Sequence, residues 1–491
     1  MMPLLIALYW LTVAMLAVYG LLGFYTLWQY WRHRHAQFSC PPLPPDPPNV
    51  TIQLPIYNEP FVVKRLIRTA VQQQYPAHRL QIQVVDDSTD STAVKTARLV
   101  AHYQKKGVNI SLVRREERVG YKAGALAQAL AQASGEFIAI FDADFVPPPD
   151  FLQQTIPHFL ADGRIGMVQA RWGHLNDQES VLTAVQALAL DKHFVLEQTV
   201  RHRADLFPKF NGAGGVWRRA CLEDAGGWLA DTICEDLCLS TRAQLKGWQF
   251  RFLPDVVVPA ELPPTLSAYK IQQARWGKGS TQCLRKYTRP ILTTPGHSWA
   301  ARLYALLAMQ AYTANLLVIL LLLLQLPLML LDYQPSAWMW FFTLPGLGQP
   351  LLFALAQPLL HRDWLWRLRH FPAMFIIALG MTAVMSRAVL QVGYGREHPF
   401  IRTPKRGRHA TQTSATVPFD GIMVVELLLA FYCFLSLMVA ITHDHLGAIP
   451  FLAAGVLGYS YVCWQSWQEL TPSSAGPTHP LKTTENQNFL N

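Results

Sequence analysis

The sequence predicts an α/β domain with a mainly parallel sheet, joined to an α-helical membrane region. Three observations carry that expectation. Residues 137–141 (FIAIF) form an unbroken apolar run that stops at Asp142 and Asp144, the mark of a strand buried on both faces. Strand-like runs at 50–55, 80–85 and 166–171 alternate with helical patterns, of which 61–74 is amphipathic, and this alternation implies βαβ units. The chain is 51% hydrophobic and only 15% charged, too apolar for an ordinary soluble enzyme.

The apolar residues collect in long stretches. Residues 3–30 are uncharged and long enough to cross a hydrocarbon core of about 30 Å. A signal peptide would need a basic leader and a small-residue cleavage site, and neither is present. WRHRH at 31–35 belongs on the cytoplasmic side, which places the N-terminus outside. PPLPPDPP at 41–48 is a stiff spacer that completes a first unit, 1–48. The α/β domain then occupies 49–262, interfacial helices 263–300 and membrane helices 301–470, with a polar, disordered tail at 471–491. Candidate spans are 303–331, 338–360, 371–390, 423–441 and 449–464. The basic segments 361–370 and 396–408 both favour the cytoplasm, so 371–390 between them reads as interfacial or re-entrant, with Arg387 facing protein. Five or six spans result.

The net charge of +10 does not point to nucleic acid, because the basic residues sit beside apolar segments. Seven scattered cysteines without a Cys-x-x-Cys pair fit a reducing compartment and no disulfide framework. Cys234 and Cys238 lack partners for a zinc site.

The chemistry-bearing residues fall in one order. QLPIYNE at 53–59 closes the first strand, where Pro55, Tyr57 and Glu59 can embrace a nucleobase and ribose. VVDDSTD at 84–90 closes the second, where Asp86 or Asp87 can hydrogen-bond the base. GYKAGAL offers Lys122 at a glycine-flanked helix start, suited to phosphate. Asp142 and Asp144, two apart on extended backbone, are expected to point the same way at a strand's carboxyl end. Two hard oxygen ligands there suit Mg²⁺ or Mn²⁺ carrying a diphosphate. Glu235 and Asp236 supply a second carboxylate pair, although acidic residues also suit the first turn of the helix they open. Asp236 can deprotonate an acceptor hydroxyl as general base. Arg275 can grip phosphate, and Gln272 and Trp276 complete a Gln-x-x-Arg-Trp motif whose indole gives a sugar ring a flat platform. His174, His193 and His202 receive no chemical role.

Taken jointly, these motifs make the chain resemble the membrane-embedded family 2 glycosyltransferases of GT-A fold, in their cellulose synthase-like and glucomannan synthase-like branch. The resemblance runs from about residue 53 to 405, and NGAGGVWRR at 211–219 is similar to a connecting segment of that family. It implies nucleotide contacts at Asp86, Asp87 and Lys122, metal contacts led by Asp144, Asp236 as base, and an acceptor end lined by Gln272, Arg275 and Trp276. Within the basic loop 395–410, Phe400, Thr403 and Lys405 are similar to the gating loop of processive members, with Arg402 replacing a valine. Cys234 stands where the family has threonine, and Cys238 where relatives often have aspartate. The implied function is inverting hexosyl transfer from UDP-glucose or GDP-mannose to a growing β-linked polysaccharide. The alternative is single-sugar transfer to a membrane lipid such as diacylglycerol, ceramide or a polyprenyl phosphate. Implied partners are the nucleotide-sugar donor, a glycan or lipid acceptor, the bilayer, and a homo-oligomer or accessory export subunit. The implied location is the plasma (inner) membrane, with the catalytic domain cytosolic.

Overall fold

The computed structural model describes residues 2–36, 38, 41–335, 337–395 and 420–470. Phe400, Thr403, Lys405 and the tail 471–491 lie outside the described residues. Seven strands form one sheet: β1 (Val50–Ile56), β2 (Leu80–Asp86), β3 (Ile110–Val113), β4 (Phe137–Ile140), β5 (Ile165–His174), β6 (Gly215–Arg218) and β7 (Gln249–Ala260), in the order β3-β2-β1-β4-β6-β5-β7. All neighbouring pairs are parallel except those of β6, which runs antiparallel to both β4 and β5. The four strands expected from the sequence are present, each shifted at its ends by a few residues. β3, β6 and β7 were not expected. β3 and β6 are four residues each, too short for a periodic signal.

β4 sits centrally, and all four of its side chains are fully buried. Phe137 packs on Phe159 and Phe141 on Phe151, with ring centroids 4.7 and 4.9 Å apart. The helix Val63–Val71 covers one face through buried Val63, Leu66, Ile67 and Ala70, spaced as an amphipathic stripe requires.

Among the described residues, five segments are long and apolar enough to cross a membrane: Met2–His33, Trp299–Leu330, Trp364–Gly393, Ile422–Thr442 and Leu446–Leu470. Among helices that position the site we label α1 (Met2–His33), α2 (Tyr121–Ala131), α3 (Val181–Lys192), α4 (Glu235–Leu245), α5 (Leu266–Thr293) and α6 (Gly348–Leu360). The expected span at 338–360 is not one helix: a 3₁₀ run, Ala337–Leu347, gives way to α6. α1 crosses close to it. A Cβ on Gly20 would lie 1.8 Å from the Pro345 carbonyl oxygen, and one on Gly348 would lie 1.9 Å from that of Gly20. Arg387, in the segment expected to be re-entrant, forms a two-pronged pair with Asp420 at 2.5 and 2.6 Å. That segment is the most enclosed of the five, with 67% of its apolar window buried.

α5 joins the domain to the bundle. Glu469 accepts from the backbone N–H groups of Leu266 and Ser267 at 2.9 Å each, capping the helix start. One turn on, Lys270 donates to both carboxylate oxygens of buried Glu426, at 2.7 and 2.9 Å, and to Ser466 at 2.8 Å. At the other side of the same helix, Cys283 lies against Cys238 of α4, their Cα atoms 6.0 Å apart. The two are 45 residues apart, so no local motif announces them.

Candidate active site

A cavity of about 210 Å³ opens at the carboxyl ends of β1, β2 and β4, where open α/β sheets bind ligands. Pro55, Tyr57, Glu59, Asp87, Lys122, Asp142, Asp144, Glu235, Asp236, Gln272, Arg275 and Trp276 all line it. Asp86 does not. As the last residue of β2 its side chain turns away into the protein, is completely buried, and accepts from the Ser88 N–H at 2.9 Å, from Arg114 at 3.1 Å and from the Thr96 hydroxyl. Its neighbour Asp87 faces the cavity and pairs with Arg115. Beside it the Arg118 guanidinium lies 3.4 Å from the centroid of the Tyr57 ring, so one planar cation is stacked on the wall.

The expected geometry of the aspartate pair also needs correction. β4 ends at Ile140, and the Phe145 N–H closes a turn onto the Asp142 carbonyl at 3.0 Å. Asp142 and Asp144 therefore reach the cavity from a turn, not from strand alternation. Lys122, in the first turn of α2, donates to Asp142 Oδ1 at 2.5 Å and to the Gly212 carbonyl at 2.9 Å. Burial alone would lower the lysine pKa, but Asp142 and then Glu235 outweigh it, so the ammonium stays charged. Asp144 Oδ2 accepts from the Glu261 N–H at 3.2 Å. The donor set fits a hard divalent cation that takes its remaining ligands from phosphate, since two carboxylates face the cavity. Among the described residues no cluster of three or more His, Cys, Asp or Glu side chains could hold a metal by protein ligands alone.

Across the cavity, Glu235 and Asp236 open α4, and Asp236 Oδ1 accepts from the Leu237 N–H at 2.7 Å. Burial raises both carboxyls; Asp236 adds to the effect on Glu235, which is raised to about 7. Lys122 and Arg275 oppose the shift on both. The pair therefore holds a proton close to neutrality, as a poised base requires. α5 presses the loop before it into place: the Ile233 N–H donates to Gln282 at 2.9 Å, and a Cβ on Gly279 would lie 2.3 Å from Cys234 Sγ. The small Cys234 fits that contact. Burial, then Asp236 and Glu235, raise its thiol well above the ordinary value, so it stays protonated.

Gly212 is required twice over. Its φ is +90°, and a Cβ there would lie 3.0 Å from Asp236 Oδ2. Gly212→Ala is expected to displace the carboxylate and lower turnover by about 10²-fold, following the sensitivity of catalysis to ångström-scale misplacement. Steady-state rates beside an unchanged thermal transition check this; full turnover would show that the contact has no consequence.

Several lining residues escaped the sequence reading. Asn211, Trp172 and His174 share the cavity, and Asn211 and Trp172 also line a second one, of about 600 Å³. That second cavity continues past Asp236, Gln272 and Trp276 to Tyr19 and Thr26 of α1 and Gln349 and Phe353 of α6. His174 bonds buried Asp191 of α3 at 2.9 Å, and His361, just after α6, bonds the other carboxylate oxygen at 2.8 Å. His174, His193 and His202 are all hydrogen-bonded within the fold. Burial lowers His193 to about 4, helped by Lys209, and lowers His202 to about 3, helped by Arg251. Both stay neutral when folded, whereas the unfolded chain protonates them near 6.5. Their contribution to stability is therefore present above pH 6.5 and is lost as the pH falls toward 4. A Tm that falls over this interval is expected, and His202→Phe should reduce the fall; a flat profile would contradict it.

Comparison with known proteins bears on this geometry. Residues 47–279 match the family described as "Glycosyltransferase like family 2". This chain is 40% identical over 274 residues to glucomannan 4-beta-mannosyltransferase 2 of Arabidopsis thaliana, covering 54% of this chain and 51% of that protein. It is 44% identical over 249 residues to glucomannan 4-beta-mannosyltransferase 1 of Cyamopsis tetragonoloba, covering 50% of this chain and 47% of that protein. The chain thus spans about half the length of these curated relatives. The fold is GT-A. A mannosyltransferase from Pyrobaculum calidifontis, solved in complex with GDP-Man and Mn²⁺, superposes with a TM-score of 0.54 at 23% identity, covering 78% of this chain and all of that one.

Proposed function

We propose that this chain transfers a hexosyl group, with inversion, from a nucleotide-diphospho-sugar to a growing β-linked polysaccharide at a membrane. One observation carries the reading. Lys122, Asp142, Asp144 and Asp236 share a cavity whose residues Asp236, Gln272 and Trp276 also line a second cavity, reaching α1 and α6. The names of the relatives support a β-mannan product, and the GDP-Man complex of the structural neighbour supports GDP-mannose as donor. Tyr57, Glu59, Asp87 and Arg118 are placed to hold the nucleotide, with Pro55 shaping the wall. Lys122 and Arg275 face the diphosphate as cations. Asp142 and Asp144 would hold a divalent cation, Mn²⁺ or Mg²⁺, which would neutralise charge on the leaving diphosphate.

Asp236 takes the proton from the acceptor hydroxyl. The oxygen attacks the anomeric carbon opposite the diphosphate, one bond forms as the other breaks, and the configuration inverts. Trp276 offers its face to the acceptor ring, with Gln272 and Glu235 beside it. The site faces the cytoplasm, where nucleotide sugars are made. The test is incorporation from radiolabelled GDP-mannose and UDP-glucose by the purified full-length protein in lipid, with sizing of the product. A glycanase-sensitive polymer is expected. A single chloroform-soluble product would replace the polysaccharide with a lipid acceptor.

A further inference from the structure

The segment after α3 is a π-helix, His193–Gln198, an irregular turn of a kind often found at functional sites. It carries a half-buried polar chain that reaches Asn211, a residue that lines both cavities beside Asp236. Lys192 donates to Glu197 Oε1 at 2.6 Å, and His193 Nδ1 donates to Glu197 Oε2 at 2.8 Å. Asn211 Nδ2 then donates to His193 Nε2 at 2.9 Å, while Gln198 Nε2 donates to Asn211 Oδ1 at 2.6 Å.

The hydrogens in this chain have one consistent arrangement. Burial raises the Glu197 carboxyl, but Lys192 and His193 outweigh it and hold it well below the ordinary value, so it is an acceptor only. His193 must therefore carry its proton on Nδ1, and being neutral it leaves a lone pair on Nε2. Only the NH₂ side of Asn211 can face that lone pair. Gln198 enforces the same choice, because its own NH₂ is also pinned by the Lys209 carbonyl at 2.7 Å. The Asn211 backbone is fixed too, its N–H donating to Gln169 Oε1 at 3.0 Å. One Nδ2–H and one Oδ1 lone pair remain for whatever occupies the junction of the cavities.

We infer that Glu197 and His193 are positioning residues: they lock the Asn211 amide in one orientation, so that it presents a fixed N–H to the acceptor sugar next to the attacking hydroxyl. This rests on the glycosyl-transfer reading. The relay spends a half-buried ion pair and a neutral histidine on orienting a single amide. An amide free to flip would offer an acceptor oxygen to the same sugar half of the time, and the ring would lose its register against Asp236.

The test uses full-length protein in lipid, radiolabelled GDP-mannose as donor and β-1,4-mannohexaose as acceptor. Asn211→Ala is expected to lower kcat/KM for the acceptor by about 10- to 100-fold, mainly through KM, the loss of an oriented bond to substrate. GDP-mannose Kd, measured by calorimetry, should move by less than about two-fold. Glu197→Gln and His193→Phe should each give part of that loss. The decisive variants are the doubles: Asn211→Ala with Glu197→Gln should be no worse than Asn211→Ala alone, because the relay then has nothing to orient. His193→Gln can still accept from Asn211 and should retain more acceptor affinity than His193→Phe, which also serves where Glu197→Gln does not fold. Additive losses in the double variant, or an unchanged acceptor KM in Glu197→Gln and His193→Phe, would overturn the relay. Failure of the underlying reading looks different: Asp236→Asn would then keep its rate whatever the Asn211 series does.

Discussion

Asp236→Asn is expected to reduce transfer by about 10²- to 10⁴-fold, the range a positioned general base supplies. The amide keeps the shape of the carboxylate, and its oxygen can still accept from the Leu237 N–H that Asp236 Oδ1 receives at 2.7 Å, so α4 keeps its start. What is lost is the lone pair that takes the acceptor proton. Donor affinity should change little, because Lys122, Asp142 and Asp144 are untouched. The pH profile carries further information. Transfer needs the base ionised, so the rate should rise with pH through the titration of the Glu235–Asp236 pair, whose upper member is raised to about 7. Glu235→Gln removes the neighbouring charge and should move this acid limb to lower pH. Stability runs in the opposite sense to the histidine effect. A carboxyl raised from 4.5 to about 7 stabilises the ligand-free fold below pH 4.5, and that contribution is lost as the pH rises through 7. Retention of more than a tenth of the wild-type rate in Asp236→Asn would remove it from the role of base.

The second large effect concerns Lys270. Its ammonium, nearly enclosed, meets Glu426, whose side chain is fully buried, and Ser466. Lys270→Met should destabilise the protein by about 3–5 kcal/mol, because a carboxylate is left inside without its counter-charge. Lys270→Met combined with Glu426→Leu should recover most of the loss, since removing both partners of a buried pair costs far less than removing one. Thermal unfolding in detergent separates the three proteins. A double variant as unstable as the single would mean that packing, not charge, sets the cost.

Much of the site was legible because its residues sit at the ends of strands that announce themselves. FIAIF leads to Asp142 and Asp144, and VVDDSTD leads to Asp87. Asp86 could not be told from Asp87, since one residue of register decides which side chain faces the cavity and which faces Arg114. β6 was hidden by its length and by running against its neighbours. The link from His193 to Asn211 joins residues 18 apart through an irregular turn, and the Asp191 carboxylate meets His361 from 170 residues away. No spacing rule reaches that far. A local hint did exist, because His193 and Glu197 stand four apart, the spacing at which helical side chains meet.

α5 ties the reaction cavity to the apolar bundle. Its start is pinned by Glu469, Glu426 and Ser466 of the apolar bundle, while Gln272, Arg275 and Trp276 line the reaction cavity within the next two turns. On the proposed function, the helix therefore fixes the height of the transfer site relative to the apolar bundle. A bilayer whose thickness mismatches the spans must tilt or shift them at a cost of fractions of a kcal/mol per Å, and α5 hands that displacement to the catalytic groups. Turnover in vesicles of graded acyl-chain length should accordingly pass through a maximum, making the thickness of the surrounding lipid a control on the proposed transfer.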